Sequence, residues 1–400
     1  MIDLSSPAAR DNPYPAYARL RATAAAVPGG YARTWLVGRY DDVLSTLRDS
    51  EHFSNSQQGL EATLTGGDGT VHRTARKLLQ PAFSPIRLNE LSGRLEELAS
   101  LTARAAADRR SCDFVTDVAS ILPIEMLCQM LGDVQQHARH FRRWSDALLT
   151  AGNQKVRKGY AIGWRARLSA LFSARRRSRL RTAQALIDCR NFLREHFKQA
   201  SVEPSGGWLT DLLADALNAG TLNEEHLVDI GMLFVAAATE TTTSTISNAG
   251  YLLATRPELA DALRTSPDRV NDFVEEILRY EAPIQRRLRY ATQDLSLGGV
   301  DIRTGDVVIA LIGAANRDPD QFPDPDEFII DRQPNRHLSF GAGPHFCLGA
   351  ELARMEARAM LRALITHAPG FRLTYPERPL VYSRHSITRS PTTFQISFSS

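Results

Sequence analysis

Cysteine is scarce: the 400 residues hold four, Cys112, Cys128, Cys189 and Cys347. They stand too far apart for a CxxC or other zinc spacing. They offer no framework of close disulfides, so a reducing, cytoplasmic setting is expected. No run approaches the length of a transmembrane helix, so no membrane span is predicted. The opening MIDLSSPAARDNPYPAYARL lacks the basic and then apolar order of a secretory signal, and none is expected. Charge of one sign is nearly absent in net terms: 48 Lys and Arg against 45 Asp and Glu leave +3, too mild to imply nucleic acid. No internal repeat and no long linker interrupts the chain, so a single domain over residues 1–400 is expected. What is present is a hydrophobic fraction of 43%, enough in a chain of this length to bury a large core and an internal pocket.

Periodicity makes most of the chain helical. Residues 86–108, 119–131, 183–200 and 258–280 carry apolar side chains at helical spacing. Trp35-Leu36-Val37 followed by Arg39-Tyr40-Asp41-Asp42 reads as a short strand turning into a capped helix. Between 286 and 312, Leu295, Leu297, Val300, Ile302, Val307, Val308 and Ile309 alternate with polar residues and glycines, the pattern of short antiparallel strands. Phe371, Leu373, Phe394, Ile396 and Phe398 repeat that pattern later. Helix-rich with small sheets is an α+β reading.

The segment 222–256 has Thr221 or Asn223 as a cap, Glu224 and Glu225 in its first turn and Arg256-Pro257 as its stop. At the helical rise it would be about 50 Å long. Its centre, Ala236 to Thr245, is a run of small residues and hydroxyls around one carboxylate, Glu240. Ser and Thr there can bond back to the carbonyl one turn earlier, and small residues leave a groove for a small ligand.

The sharpest motif is Phe340-Gly341-Ala342-Gly343-Pro344-His345-Phe346-Cys347-Leu348-Gly349, followed by a helical run from Ala350 to His367. Glycines let a backbone approach a large flat ligand and adopt positive φ. A cysteine just ahead of a helix has its thiolate stabilised by the dipole and the free amides. A thiolate iron ligand needs that setting, because it pushes electron density onto the metal.

This decapeptide, with its FxxGxxxCxG spacing, resembles the haem-binding signature of the cytochromes P450, particularly the soluble bacterial kind. The resemblance extends over nearly all of the chain. It implies a mainly α fold with small β-sheets, a triangular helix-rich body around a buried haem b whose iron is bound by Cys347, with Phe340 and Gly349 in the cofactor loop. Glu276-Ile277-Leu278-Arg279 matches the family's ExxR, and Arg332 in Asp331-Arg332-Gln333-Pro334 would complete a buried Glu–Arg–Arg network. His72 and Arg76, at i and i+4, resemble the propionate-binding HxxxR, and Arg289 and His337 match two further propionate positions. Ala237-Ala238-Thr239-Glu240-Thr241-Thr242 resembles the oxygen-activation motif, in which Glu240 would supply protons and Thr241 would relay them. Ala238 departs from the usual glycine, and its methyl narrows the groove. Ala315-Asn316-Arg317-Asp318-Pro319 and Phe322-Pro323-Asp324-Pro325 match structural turns.

By the same resemblance, Phe234, Ala237, Ala238, Ile284, Gln285 and Ile387 are candidate contacts for a small-molecule substrate. The implied activity is a monooxygenase of secondary metabolism that hydroxylates, epoxidises or oxidatively couples its substrate. A haem-based binding or sensing protein and a peroxide-driven peroxygenase are the alternatives. No flavin or nicotinamide fingerprint is present, so electrons are expected from a ferredoxin and its reductase, docking near Arg73, Lys77, Arg336 and Arg354. Residues 155–181 carry ten basic residues, with no acid between Asp146 and Asp188. They read as a basic lid, and secondly as a dock for an acidic carrier protein presenting a tethered substrate.

Overall fold

A computed structural model describes residues 4, 6–30, 33–56, 67–132, 134–159, 175–383 and 387–398. The residues cluster as two compact units, one of Met1–Gly69, Phe83–Leu122 and Thr241–Ser400, the other of Thr70–Ala82 and Pro123–Glu240. Among the described residues no helix is long and apolar enough to cross a membrane.

The first unit carries the sheets. Its largest has the strand order Ala26–Pro28, Thr34–Val37, Val307–Ala310, Arg287–Ala291, Phe53–Ser54. The alternation over 286–312 pointed to antiparallel pairing, and Val307–Ala310 does pair that way with Arg287–Ala291, with Arg289 opposite Val308. Its other edge runs parallel to Thr34–Val37, a long-range partner that local pattern does not disclose. Leu295–Leu297 and Val300–Ile302 form a separate hairpin. Phe371–Leu373, Gln395–Phe398 and Ser111–Asp113 form a three-stranded sheet.

Several helices start where side-chain chemistry allows. Pro85–Asp108 opens on Ser84, whose Oγ accepts from the Arg87 amide, with Pro85 in the first turn. Tyr40–Arg48 has no side-chain cap of its own; the Tyr40 amide donates to Asp318 at 2.6 Å, from far along the chain. The periodic stretch 258–280 is two helices, Pro257–Thr265 and Val270–Tyr280. Pro267 lacks an amide proton and starts a short 3₁₀ turn between them. The stretch 119–131 is essentially the helix Ile121–Leu131, preceded by a π-helical turn, Val115–Ala119.

The long helix is Glu224–Thr255, with Asn223 Oδ1 accepting from the His226 amide at 2.9 Å as its cap. Thr239 bonds back to the Val235 carbonyl at 2.9 Å and Thr245 to that of Thr241 at 3.0 Å. Thr242 to Ser247 is buried without a break. At Gly250 an added Cβ would lie 2.1 Å from the Phe114 ring, so only glycine lets the helix and ring meet. In the second unit, Arg190 and Arg194 of helix Arg175–Ala200 pair with Glu224, Glu225 and Asp229 of the long helix.

Helix Ala350–His367 packs along Pro85–Asp108 and carries an unusual carboxyl. Glu356 is buried, and among the described residues its Oε2 has no hydrogen-bond partner. Burial pushes its pKa from 4.5 up to about 8. A raised carboxyl pKa gives stability that is complete below 4.5 and fades as pH rises through about 8. Glu356→Gln should therefore match the parent near the low end of that range and exceed it at the high end. At about 1.4 kcal/mol per pKa unit the gain is on the order of a few kcal/mol, readable as denaturation midpoints across that range. A variant advantage that shrinks with rising pH would contradict the burial account.

Candidate active site

Glu276 and Arg279 lie on one face of Val270–Tyr280, and both are completely buried. Arg279 grips the Glu276 carboxylate with two parallel hydrogen bonds, Nε to Oε2 at 2.8 Å and Nη2 to Oε1 at 2.7 Å. Arg332 Nε adds a third at 3.1 Å, and the Ile329 amide and Asn335 Nδ2 add two more at 2.9 and 3.1 Å. The remaining guanidinium protons meet carbonyls of the two proline-rich turns: Arg279 those of Asn316, Pro325 and Glu327, Arg332 those of Pro323, Asp324 and Glu327. Every charge in this buried knot is therefore both paired and hydrogen-bonded, the condition under which burial is tolerated.

The knot touches the cysteine loop through Asn316. Its Oδ1 accepts from the Leu338 amide at 2.7 Å, and its Nδ2 donates to Ser339 Oγ at 2.8 Å. Ser339 Oγ in turn donates to the Leu278 carbonyl of the ExxR helix at 2.6 Å. Beyond it the loop closes on itself: the Cys347 amide donates to the Phe340 carbonyl at 2.9 Å and that of Phe346 to Gly343 at 3.1 Å. Gly343 has φ +69°, and a Cβ there would sit 2.8 Å from Arg48 Cα, so the tight approach requires glycine. Gly349 precedes the helix Ala350–His367 as its N-cap residue. Cys347 is exposed, whereas Cys112, Cys128 and Cys189 are buried. Burial pushes the Cys112 thiol up to about 11 and that of Cys189 to about 12, so neither offers a thiolate at neutral pH.

Two arginines two positions apart share one face of strand Arg287–Ala291. Arg289 is buried, and burial, with Arg287 adding repulsion against the pull of Asp68, lowers its pKa to about 10. Burial also lowers that of Arg287, opposed by the Cys347 sulfur. Arg287 is nonetheless exposed. Asp68 accepts from the Asn55 amide at 2.7 Å and pairs with His345 Nε2 at 2.9 Å. Burial alone would raise the Asp68 pKa; hydrogen bonds from Ser54, His345 and Asn55 override it and bring the pKa down.

His337, expected as a propionate contact, makes two hydrogen bonds within the protein. Its Nδ1 accepts from the Ser339 amide at 3.3 Å, which leaves the proton on Nε2, and Nε2 donates to Glu275 at 3.1 Å. Arg354 binds the same carboxylate twice, at 2.7 and 2.9 Å, and lies 4.5 Å from the Phe340 ring centre. Burial would raise the Glu275 pKa, but the bonds from His337 and Arg354 hold it at about 2. Arg354 is therefore tied inward, unlike exposed Arg73, Lys77 and Arg336.

Gln285 is also turned into the body. Its Oε1 accepts from Tyr17 at 3.1 Å and its Nε2 donates to the Ala282 carbonyl at 2.8 Å, so both ends of its amide are held by the protein. Ile284 is buried in the cluster that Ile387 packs against. In the second unit, His72 is buried and Arg76 half-buried on one face of helix Gly69–Leu79, and Phe234 is buried. Ala237 is exposed, and Ala238, Glu240 and Thr241 are partly so, on a helix otherwise buried from Thr239 to Gly250. Of the basic stretch 155–181, residues 160–174 lie outside the described residues.

Sequence reasoning passed over Asp68, Glu275, Arg287 and His345. Two of these carried a signal: His345 stands within the cysteine decapeptide, and Arg287 stands one alternation before Arg289. Asp68 and Glu275 take their meaning from partners 277 and 79 positions away.

An accessible thiol just before a helix, guanidiniums on the adjoining strand with Asp68 as their nearby carboxylate, and an aromatic in the same loop suit a flat, dianionic iron porphyrin. The fold and this site define a haem-thiolate protein. The family model "Cytochrome P450" matches residues 41–398, and the chain belongs to the cytochrome P450 family. It is 33% identical to mycinamicin IV hydroxylase/epoxidase of Micromonospora griseorubida, over 89% of this chain and 87% of that protein. It is 30% identical to 6-deoxyerythronolide B hydroxylase of Saccharopolyspora erythraea, over 97% and 96%. Among solved structures it is similar to myxobacterial CYP267B1 in complex with myristic acid, with TM-score 0.87, 29% identity and 99% of both chains covered. It is also similar to P450BioI bound to an acyl carrier protein carrying hexadec-9Z-enoic acid, with TM-score 0.84, 26% identity, and 98% of this chain and 100% of that one covered. As a member of this family it is an oxidoreductase that binds haem b through a cysteine thiolate.

Proposed function

We propose that this protein acts in the cytoplasm as a monooxygenase on a small organic molecule of secondary metabolism, through haem b bound by Cys347. The observation that carries the reading is the accessible Cys347 thiol in a loop fixed by its own backbone and by Asn316. Bound haem supplies the redox chemistry that cleaves dioxygen. For hydroxylation and epoxidation two electrons and two protons enter, and one oxygen atom leaves in the product and the other in water; in oxidative coupling the substrate gives up two hydrogen atoms and both oxygen atoms leave as water.

The chain's own residues hold the cofactor and move the protons. Arg289, with His72 and Arg76, offers cations to the propionates, and guanidinium suits a carboxylate in two-point contact. Arg287 and His345 join that set, while His337 acts by fixing Glu275 and Arg354 behind Phe340. Thr241 holds a proton on its hydroxyl for dioxygen as it is reduced, and Glu240 resupplies it. Phe234, Ala237, Ala238, Ile284 and Ile387 contact the substrate; the relatives named mycinamicin IV hydroxylase/epoxidase and 6-deoxyerythronolide B hydroxylase support a small organic molecule.

Electrons come from a ferredoxin and its reductase, for which exposed Arg73, Lys77 and Arg336 are available. A carrier-tethered substrate is the second reading, favoured by the carrier-bound P450BioI structure; faster turnover of carrier-linked than of free substrate would support it. The single family match over 41–398 supports one functional domain.

Spectral titration with mycinamicin IV, 6-deoxyerythronolide B and myristic acid is the first screen. With a substrate in hand, Thr241→Ala should keep consuming dioxygen while product formed per dioxygen falls by about tenfold or more. Unchanged coupling would overturn the relay. Turnover supported by hydrogen peroxide alone and indifferent to Thr241→Ala would instead favour the peroxygenase.

A further inference from the structure

Ile284 and Ile387 come from segments a hundred residues apart, yet they are locked together. The Gln285 amide donates to the Ile387 carbonyl at 2.8 Å, the Arg389 amide donates to the Pro283 carbonyl at 2.9 Å, and Ile284 bridges Thr388 in antiparallel fashion. A second set of contacts lies behind this clip and makes no use of either isoleucine. Arg389 Nε binds Glu281 at 2.8 Å, its Nη2 reaches the Asp11 carbonyl at 3.0 Å, and its guanidinium lies 3.5 Å from the Tyr382 ring centre.

The helix Tyr14–Thr23 grips the same segment at two points three residues apart. Tyr14 donates its hydroxyl to Glu281 at 2.9 Å, and Tyr17 donates to Gln285 Oε1 at 3.1 Å. The two rings meet edge to face at 6.0 Å. Arg317 is sandwiched between the Tyr14 and Tyr280 rings, at 3.5 and 3.8 Å, and stands 3.7 Å from Glu281. Burial first, and then the Glu281 carboxylate, raise the Tyr14 pKa, so its phenol stays a donor at neutral pH. Burial raises that of Tyr17 as well. There is no slack behind Gln285: a Cβ on Gly313 would lie 2.2 Å from its Oε1.

We propose that Tyr14, Tyr17 and Arg389 are positioning residues for specificity: from outside the site they fix the paired segments 283–285 and 387–389, and so set how bulky a molecule fits beside Ile284 and Ile387. The proposal rests on the reading that these two isoleucines contact substrate. Its physical basis is that a short two-segment clip has too few hydrogen bonds of its own to hold a wall to within a few tenths of an ångström. The Tyr14 and Tyr17 phenols and the Arg389–Glu281 pair supply the missing constraint.

The test uses the holoenzyme and two nitrogen ligands of the haem iron, imidazole and 4-phenylimidazole, read by optical titration. Imidazole reports the iron and its immediate surroundings; the phenyl group of the second ligand reports the wall. In Tyr14→Phe/Tyr17→Phe, and separately in Arg389→Lys, 4-phenylimidazole should bind at least threefold more weakly while imidazole affinity stays within twofold. The spectrum of the reduced carbon monoxide complex should be unchanged. Parallel losses for both ligands, or no change for either, would overturn the proposal. Ile284→Ala separates the two levels of inference. If it shifts 4-phenylimidazole alone while the tyrosine and arginine variants do not, only the positioning role fails. If Ile284→Ala shifts neither ligand, the wall assignment fails and the positioning role with it.

Discussion

Glu276→Ala is expected to yield protein that loses most of its haem during purification and unfolds at markedly lower denaturant. The carboxylate accepts from Arg279, Arg332, Asn335 and the Ile329 amide, with no exposure of its own. Removing it leaves two buried guanidiniums without a counter-charge, and breaking a buried pair from one side costs about 3–5 kcal/mol. That is a large share of a total stability on the order of 5–15 kcal/mol. The damage also has a direction. Arg279 and Arg332 hold the carbonyls of Asn316, Pro323, Asp324, Pro325 and Glu327, and Asn316 holds the cysteine loop. Haem retention should therefore fall before the sheets are lost. Removing the exposed Arg87–Glu90 pair supplies the contrast, since exposed pairs are worth only about 0–1 kcal/mol. Haem per polypeptide and the denaturation midpoint measure both. A Glu276→Ala protein matching the Arg87→Ala variant on both would show that the knot does not support the loop.

The difference between those two ion pairs marks what could be read from the sequence. ExxR and Arg87-x-x-Glu90 look alike on paper, each an i, i+3 pair on a helix, and only burial separates them. Local chemistry was legible: the start of the long helix at Thr221 or Asn223, its back-bonded threonines and the glycine-bound cysteine loop all follow from side chains near in sequence. The cysteine loop and its helix were legible for the same reason, because the whole motif spans ten residues. Features made by chain closure were not. Asp318 capping Tyr40, Asp68 meeting His345, and Glu275 pairing with His337 and Arg354 all depend on residues distant in sequence. Gln285 shows the limit of a family resemblance as a guide to a single side chain. It stands next to Ile284 in a segment expected to face the substrate, yet its amide is drawn the other way by Tyr17, 268 positions earlier.

Cys347→Ser is expected to abolish the red-shifted band of the reduced carbon monoxide complex and to reduce dioxygen-dependent product below detection, while leaving the protein folded. The loop around residue 347 is held by backbone groups, the Cys347 amide on the Phe340 carbonyl and the Phe346 amide on Gly343, and by Asn316 on Leu338 and Ser339. None of these contacts uses the sulfur. Serine preserves them and nearly preserves the volume, so the fold gives no reason for collapse. What changes is the donor: an alkoxide is far harder to form at neutral pH than a thiolate, so the electron push that favours O–O cleavage is lost. The buried cysteines make the control informative. Cys112 and Cys189 have thiols raised to about 11 and 12 by burial, so Cys112→Ala and Cys189→Ala should keep the band even where they lower stability. The spectra of the three variants therefore test the assignment against two of the other cysteines rather than against an unfolded chain. A thiolate band that survived Cys347→Ser in folded protein would move the iron ligand elsewhere and remove the basis for placing Arg287, Arg289 and His345 around the cofactor.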